Sequence, residues 1–138
     1  MSKVLLVDDN MQVLMSLTRL LEENGHEVVP AQDGPTCLSA VIFNTPDIVV
    51  LDNGLPGVSG LDLCVAIKHM PEHQALPIIV VTTARRQFDD LLANRLGVEE
   101  YLQKPVDPQT LLDLVTKYTV KKTASRVPAL NVGIASAN

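Results

Sequence analysis

The sequence predicts a doubly wound α/β domain, a (βα)5 chain whose five parallel strands form one sheet with helices on both faces. Three observations predict it. Short segments of strand character alternate five times with segments of helical periodicity. The first, third and fourth strand segments are near-continuous apolar runs, as parallel strands covered on both faces are. The chain has 138 residues, 46% hydrophobic and 20% charged, which suits one soluble domain around a single core.

The elements follow in order. KVLLV, residues 3–7, is the first strand. Residues 11–24 carry Met11, Leu14, Leu17 and Leu21 at helical spacing, and Gly25 is the stop. Residues 27–30 form a second, shorter strand. Gly34–Pro35 opens the second helix, with Pro in its first turn, and the helix reaches about Phe43. Residues 47–51 form the third strand, and residues 61–70 the third helix, ended by Pro71. Residues 77–82 form the fourth strand. Residues 86–96 form the fourth helix, stopped by Gly97. Residues 100–103 form the fifth strand. Asp107–Pro108 pairs an N-cap with Pro at the first helical position and opens a fifth helix to about Tyr118. The domain thus covers residues 1–119, and residues 120–138 read as a tail or linker stub.

Composition removes several classes. With no tryptophan and few aromatics, the core is aliphatic. No apolar run approaches a membrane span, and Asp8 interrupts the N-terminal run before it resembles a signal peptide. Cys37 and Cys64 lie far apart without metal-ligand spacing, so the expectation is a cytoplasmic chain with two buried, reduced thiols. Net charge is −5, split into −9 over residues 1–116 and +4 over residues 117–138. An acidic body argues against direct nucleic-acid binding, and the small basic tail reads as a solvated linker.

In such a sheet, right-handed crossovers bring every strand's C-terminal end to one edge, where ligands bind. Asp8 and Asp9 follow the first strand, and Asp52 the third. Thr82 and Thr83 end the fourth, and Lys104 follows the fifth. Clustered carboxylates repel unless a cation sits among them. Hard oxygen ligands suit Mg2+, and the Asn53–Gly54 loop can add a backbone carbonyl. A carboxylate beside that ion can attack phosphorus, with Lys104 balancing charge and Thr82 donating a hydrogen bond. Each part has a plainer reading. A DD pair alone reads as a helix cap, Asp52 alone as the start of an Asx-turn, Asn53–Gly54 as a hairpin turn, and Lys104 as a surface lysine. Only their joint placement at four strand ends argues otherwise.

The segments VLLVDDN, VVLDNGLPGVSG, PIIVVTTA and YLQKPVDP, in this order and spacing, make residues 2–119 resemble the receiver domain of two-component response regulators, the chemotaxis-regulator-like fold. The resemblance implies a flavodoxin-like sheet order of 2-1-3-4-5. It implies that Asp52 is the phosphoacceptor, that Asp9 binds Mg2+ (or Mn2+) directly with Asp8 as its partner, and that the carbonyl of Gly54 adds a ligand. Lys104 matches the family's lysine, and a cis peptide is implied between Lys104 and Pro105. Thr82, five residues after Pro77, matches the switch hydroxyl, and Tyr101 the switch aromatic. Thr82, Thr83 and Lys104 are the implied phosphate-binding residues. Three positions depart from the family pattern: Asn53 where an aliphatic is usual, Leu55 where Met is common, and Thr83 where a smaller residue is common.

The function implied is a phosphorylation-dependent signalling switch. Such a domain is not an enzyme acting on a separate substrate, but it catalyses its own Mg2+-dependent phosphorylation and dephosphorylation. Its donor would be a sensor histidine kinase or a histidine phosphotransfer protein. Phosphorylation would remodel the face made by the fourth helix, fifth strand and fifth helix, for a downstream protein target or a phospho-dependent homodimer. Two alternatives stand beside it. One is an interaction module of the same fold that works without phosphorylation, against which the intact set of Asp8, Asp9, Asp52, Thr82 and Lys104 counts. The other is a phosphatase of the haloacid-dehalogenase type, which wants a second acid where Gly54 stands. His69 and His73 have zinc-compatible i,i+4 spacing, but Pro71 between them breaks the helix that such a site needs.

Overall fold

The computed structural model describes residues 2–83 and 97–132, with residues 121–132 described as backbone only. Five parallel strands form one sheet: β1 (Lys3–Val7), β2 (Glu27–Ala31), β3 (Ile48–Asp52), β4 (Ile78–Thr82) and β5 (Glu100–Gln103). Their order is β2-β1-β3-β4-β5, as the resemblance implies, and every neighbouring pair is parallel. The helices among the described residues are α1 (Met11–Glu23), α2 (Gly34–Asn44), α3 (Gly60–Lys68) and a C-terminal helix (Pro108–Val132). The fourth helix expected over residues 86–96 lies outside the described residues.

Strand period divides the core into two layers, since alternate side chains point to opposite faces. Leu5, Val7, Val49, Leu51, Ile78 and Val80 pack with Cys37, Val41, Leu63, Cys64 and Ile67 of α2 and α3. Val4, Leu6, Ile48, Val50, Ile79 and Val81 pack with Leu14 and Leu21 of α1 and with Leu111 and Val115 of the C-terminal helix. Both thiols are fully buried, and burial pushes each up to about 12, so they are protonated at neutral pH.

The helix boundaries have local causes. Asn10 caps α1, its Oδ1 accepting the Val13 N–H at 3.1 Å, and Gly25 at φ +89° turns the chain away after Asn24. Asp33 caps α2, accepting from Thr36, and Ser59 caps α3, accepting from Asp62. Asp107 Oδ2 accepts the Thr110 N–H at 2.9 Å at the start of the C-terminal helix.

Two helix ends differ from expectation. The third helix stops at Lys68, two residues early, because Met70 precedes Pro71 and is extended, at φ −79° and ψ 120°. The C-terminal helix continues past Tyr118 to Val132, over what the sequence reading treats as a loose tail. No Gly or Pro stands between Tyr118 and Arg126 to stop it, and the helix then runs across Pro128, a residue that interior helix positions disfavour. No helix among the described residues is long and apolar enough to cross a membrane.

Leu51 is completely buried in the central strand, whereas Phe43 at the end of α2 is 81% exposed. Leu51→Ala is therefore expected to lower unfolding stability by about 2–5 kcal/mol in urea titration. Phe43→Ser, despite removing a larger side chain, is expected to stay within about 0.5 kcal/mol of wild type.

Candidate functional site

Strand β1 ends at Val7, and the next two residues are Asp8 and Asp9. Asp8 is 4% exposed and Asp9 is on the surface. The pair does not cap α1, because Asn10 does. Asp8 Oδ1 instead accepts the Asn10 N–H at 2.8 Å, which fixes the carboxylate at the strand's end. Asp52 is the last residue of β3, paired with Val81 of β4, and is 4% exposed. Its Oδ1 accepts the Gly54 N–H at 2.9 Å, an Asx-turn. The plain reading of Asp52 as a turn acid is thus also true, and the turn aims the carboxylate.

The three acids meet. One carboxylate oxygen from each of Asp8, Asp9 and Asp52 lies within 4.8 Å of the others, the sole such group of potential metal ligands among the described residues. Lys104 arrives from beyond β5, where its N–H donates to the Thr82 carbonyl at 2.8 Å and extends the sheet by one residue. Its Nζ lies 3.2 Å from Asp52 Oδ1 and 3.3 Å from Asp8 Oδ2. The Lys104–Pro105 peptide is cis, as the resemblance implies.

Burial alone would lower the pKa of Lys104 and is the largest single influence. The hydrogen bond to Asp52, the charges of Asp52 and Asp8 and the bond to Asp8 together outweigh it, so the net shift is upward from 10.5. A group raised in the fold contributes stability below its unfolded pKa and loses it only as pH rises through the folded value. The ammonium therefore stays charged and paired across the neutral range.

Pleat parity sorts the remaining candidates. Asp52 follows Val50, and Lys104 follows Leu102, on the α1 side of the sheet. Thr83 shares the parity of Val81. With Asp8, Asp52 and Lys104 it lines a cavity of about 580 Å3 that runs between α1 and the Pro105–Val106 turn. Thr82 is 3% exposed and follows Val80 on the opposite face, where half-buried Tyr101 packs against the α2–α3 layer. Gly54 stands beside Asp52: a Cβ placed on it would lie 3.5 Å from Asp52 Oδ1. A larger groove, about 790 Å3 between α1 and the start of α2, holds none of these residues. His69 is the C-cap of α3, with Nδ1 2.8 Å from the Val65 carbonyl, and His73 lies in the following 3-10 turn.

A contact that sequence reasoning missed belongs to Asn53. Its side-chain oxygen accepts the N–H of Gly60, the first residue of α3, at 3.0 Å. Its unusual presence after Asp52 was the available signal.

Comparison with known proteins agrees with this fold. The family model of the response regulator receiver domain matches residues 4–116. Protein PilH of Pseudomonas aeruginosa is 35% identical over 115 residues, covering 83% of this chain and 95% of that protein. The alkaline phosphatase synthesis transcriptional regulatory protein PhoP of Bacillus subtilis is 33% identical over 107 residues, covering 78% of this chain but 44% of that protein. The structure of the chemotaxis response regulator CheY4 of Vibrio cholerae superposes with a TM-score of 0.78 at 27% identity, covering 86% of this chain and 98% of that one.

Among the described residues, Lys104 is the cation that faces both buried acids. Lys104→Met is expected to destabilise the metal-free protein by about 1–3 kcal/mol in chelator-containing urea titrations, less than a fully buried pair because the lysine is partly exposed. Adding Asp52→Asn to that variant is expected to recover part of the loss, since it removes one of the two stranded charges. A double variant no more stable than the single one would contradict this account.

Proposed function

The chain belongs to the response regulator receiver domain family, and from that premise we propose that it is a phosphorylation switch whose acceptor is Asp52. The observation that carries this reading is the meeting of Asp8, Asp9, Asp52 and Lys104 at one sheet edge from positions far apart in sequence. Nothing in the packing of a plain α/β domain calls for three carboxylates against one ammonium. Charge of that density suits a site that receives a cation and a phosphoryl group.

The donor set fits Mg2+, or Mn2+, because it offers hard oxygens on a short radius and leaves positions for water and substrate. Asp8, Asp9, Asp52 and the carbonyl of Gly54 are the residues that would hold it. When bound, the ion neutralises charge on the phosphoryl oxygens.

The chain's own residues do the rest. An Asp52 carboxylate oxygen forms the bond to phosphorus as the donor's nitrogen–phosphorus bond breaks, and the donor imidazole leaves with its electron pair. The Gly54 N–H and Lys104 both contact Asp52 Oδ1, which leaves Oδ2 outside these two bonds as the attacking atom. Lys104 then moves its charge from the carboxylate to the new phosphoryl group. Thr82 supplies a hydroxyl to that group, with Thr83 beside it at the cavity wall. Because Thr82 and Tyr101 share the other face of the sheet, movement of Thr82 toward the phosphoryl group changes the packing available to Tyr101.

The donor in this reading is a histidine kinase or histidine phosphotransfer protein. The output passes through the face made by β5 and the C-terminal helix, to a protein target or a second phosphorylated copy. The receiver unit covers residues 1–119. Residues 120–138 are its tail or a linker stub, and the C-terminal helix continues into them as far as Val132.

Intact-mass analysis after incubation with acetyl phosphate and Mg2+ tests the acceptor. Wild type is expected to gain one phosphoryl adduct that requires the ion, and Asp52→Ala to gain none. An adduct that persists in Asp52→Ala would overturn the assignment. Thr83 narrows the cavity that reaches Asp52, so Thr83→Ala is expected to accelerate phosphorylation by acetyl phosphate several-fold. An unchanged rate would sink that role.

A further inference from the structure

Asn53 departs from the family pattern at the residue next to the acceptor, and the structure gives it work. Its backbone N–H donates to the Val81 carbonyl at 2.9 Å, so it continues the β3–β4 ladder one step beyond Asp52. From that anchored position it reaches forward seven residues. The Gly60 N–H is shared between the Asn53 main-chain carbonyl, at 3.4 Å, and Asn53 Oδ1, at 3.0 Å. The donor is a backbone N–H, so the side-chain atom that accepts is the amide oxygen. An aliphatic residue would keep only the longer of these two bonds.

The fit at Gly60 is close. A Cβ there would stand 2.9 Å from Asn53 Cα, 3.0 Å from Asn53 Oδ1 and 3.3 Å from the Asp52 carbonyl. The start of α3 is thus seated directly on the strand end that carries Asp52. Between the two contact points the chain forms a closed ring, residues 53–60. Leu55 anchors one side of that ring in the α2–α3 core, at 6% exposure. Gly57 turns the other side at φ +80°. The ring contains Gly54, whose N–H holds Asp52 Oδ1.

We propose that Asn53 is a positioning residue for phosphoryl transfer: its amide clasps the β3–α3 loop to the first turn of α3, which holds the Gly54 N–H on Asp52 Oδ1 and turns Oδ2 toward the donor. The inference rests on Asp52 being the acceptor. Asn53 itself touches neither phosphorus nor Lys104 in this scheme; it acts through Gly54. The clasp is a polar bond on a half-buried loop, so it adjusts orientation and leaves the core intact. Its loss therefore separates from unfolding.

The experiment compares wild type with Asn53→Leu, Asn53→Ala and Asn53→Asp, the last keeping an acceptor oxygen at the same reach. Amide hydrogen exchange of Gly54 and Gly60 reads the clasp directly, without any phosphorylation. Single-turnover phosphorylation at saturating Mg2+ and acetyl phosphate reads positioning. Leu and Ala are expected to speed exchange at both amides and to lower the maximum rate by about fivefold to tenfold, the worth of one net hydrogen bond. Asp is expected to restore both readouts toward wild type. Unchanged exchange in Leu and Ala would overturn the clasp. Faster exchange with an unchanged maximum rate, or a lowered rate that Asp does not rescue, would overturn the positioning role. A wild type that takes up no phosphoryl group while Asn53→Leu exchanges faster would leave the clasp standing and overturn the acceptor reading instead.

Discussion

The ion pairs of Lys104 with Asp8 and Asp52 are the constraint on which the edge of the sheet depends. Two carboxylates that are almost wholly buried face one ammonium at 3.2–3.3 Å, and a third carboxylate lies beside them at the surface. Taking an unpaired charge out of water costs several kcal/mol, so neither acid tolerates burial without its partner. The lysine in turn has to be delivered from the far end of the chain. Its backbone N–H bonds to the Thr82 carbonyl, which makes it in effect one more rung of the β4–β5 ladder. Sheet register and charge balance are therefore the same fact seen twice.

Around that contact the loops are held by short polar bonds. Each of the two buried acids accepts the N–H two residues ahead of it, Asn10 for Asp8 and Gly54 for Asp52. These Asx-turns bend the chain out of its strand and orient the carboxylate in one step. Helix capping is assigned to other side chains, Asn10 for α1 and Ser59 for α3. The acids are thereby relieved of the structural duty that short polar residues at strand ends often carry. What remains is a compact, electron-rich corner with a cavity of about 580 Å3 leading to it.

Pleat parity gives the corner two outlets. Asp52, Lys104 and Thr83 share the α1 side of the sheet, whereas Thr82 and Tyr101 belong to the layer of α2 and α3. A change of charge on the first side meets, one residue along β4, a hydroxyl on the second. On the reading proposed for this protein, that adjacency connects a small local event to a change of packing. Bistable packing, and not a long chain of contacts, is the physical basis of such coupling.

Much of this was legible in the sequence. Apolar runs and helical periodicity determined the strands, the first two helices and the βα order, because burial on both faces leaves a pattern that local residues carry. The acids, the threonines and the lysine were legible as candidates because βα topology sends every strand end to one edge. Other features were not legible, for reasons that are equally physical. Whether a DD pair caps a helix depends on whether a neighbour does so first, and Asn10 does. The third helix ended early because Pro71 constrains the residue before it. The C-terminal helix passes Tyr118 because no Gly or Pro follows until Pro128. Asn53 finds its role only in the fold, where the Gly60 N–H lies 3.0 Å from its amide oxygen, a contact across a loop that no local pattern encodes. Local pattern and βα topology place these residues at the edge of the sheet. Which atoms touch there is set by the folded chain, because partner choice among groups seven to ninety-six residues apart is made by chain closure and the cost of burying charge.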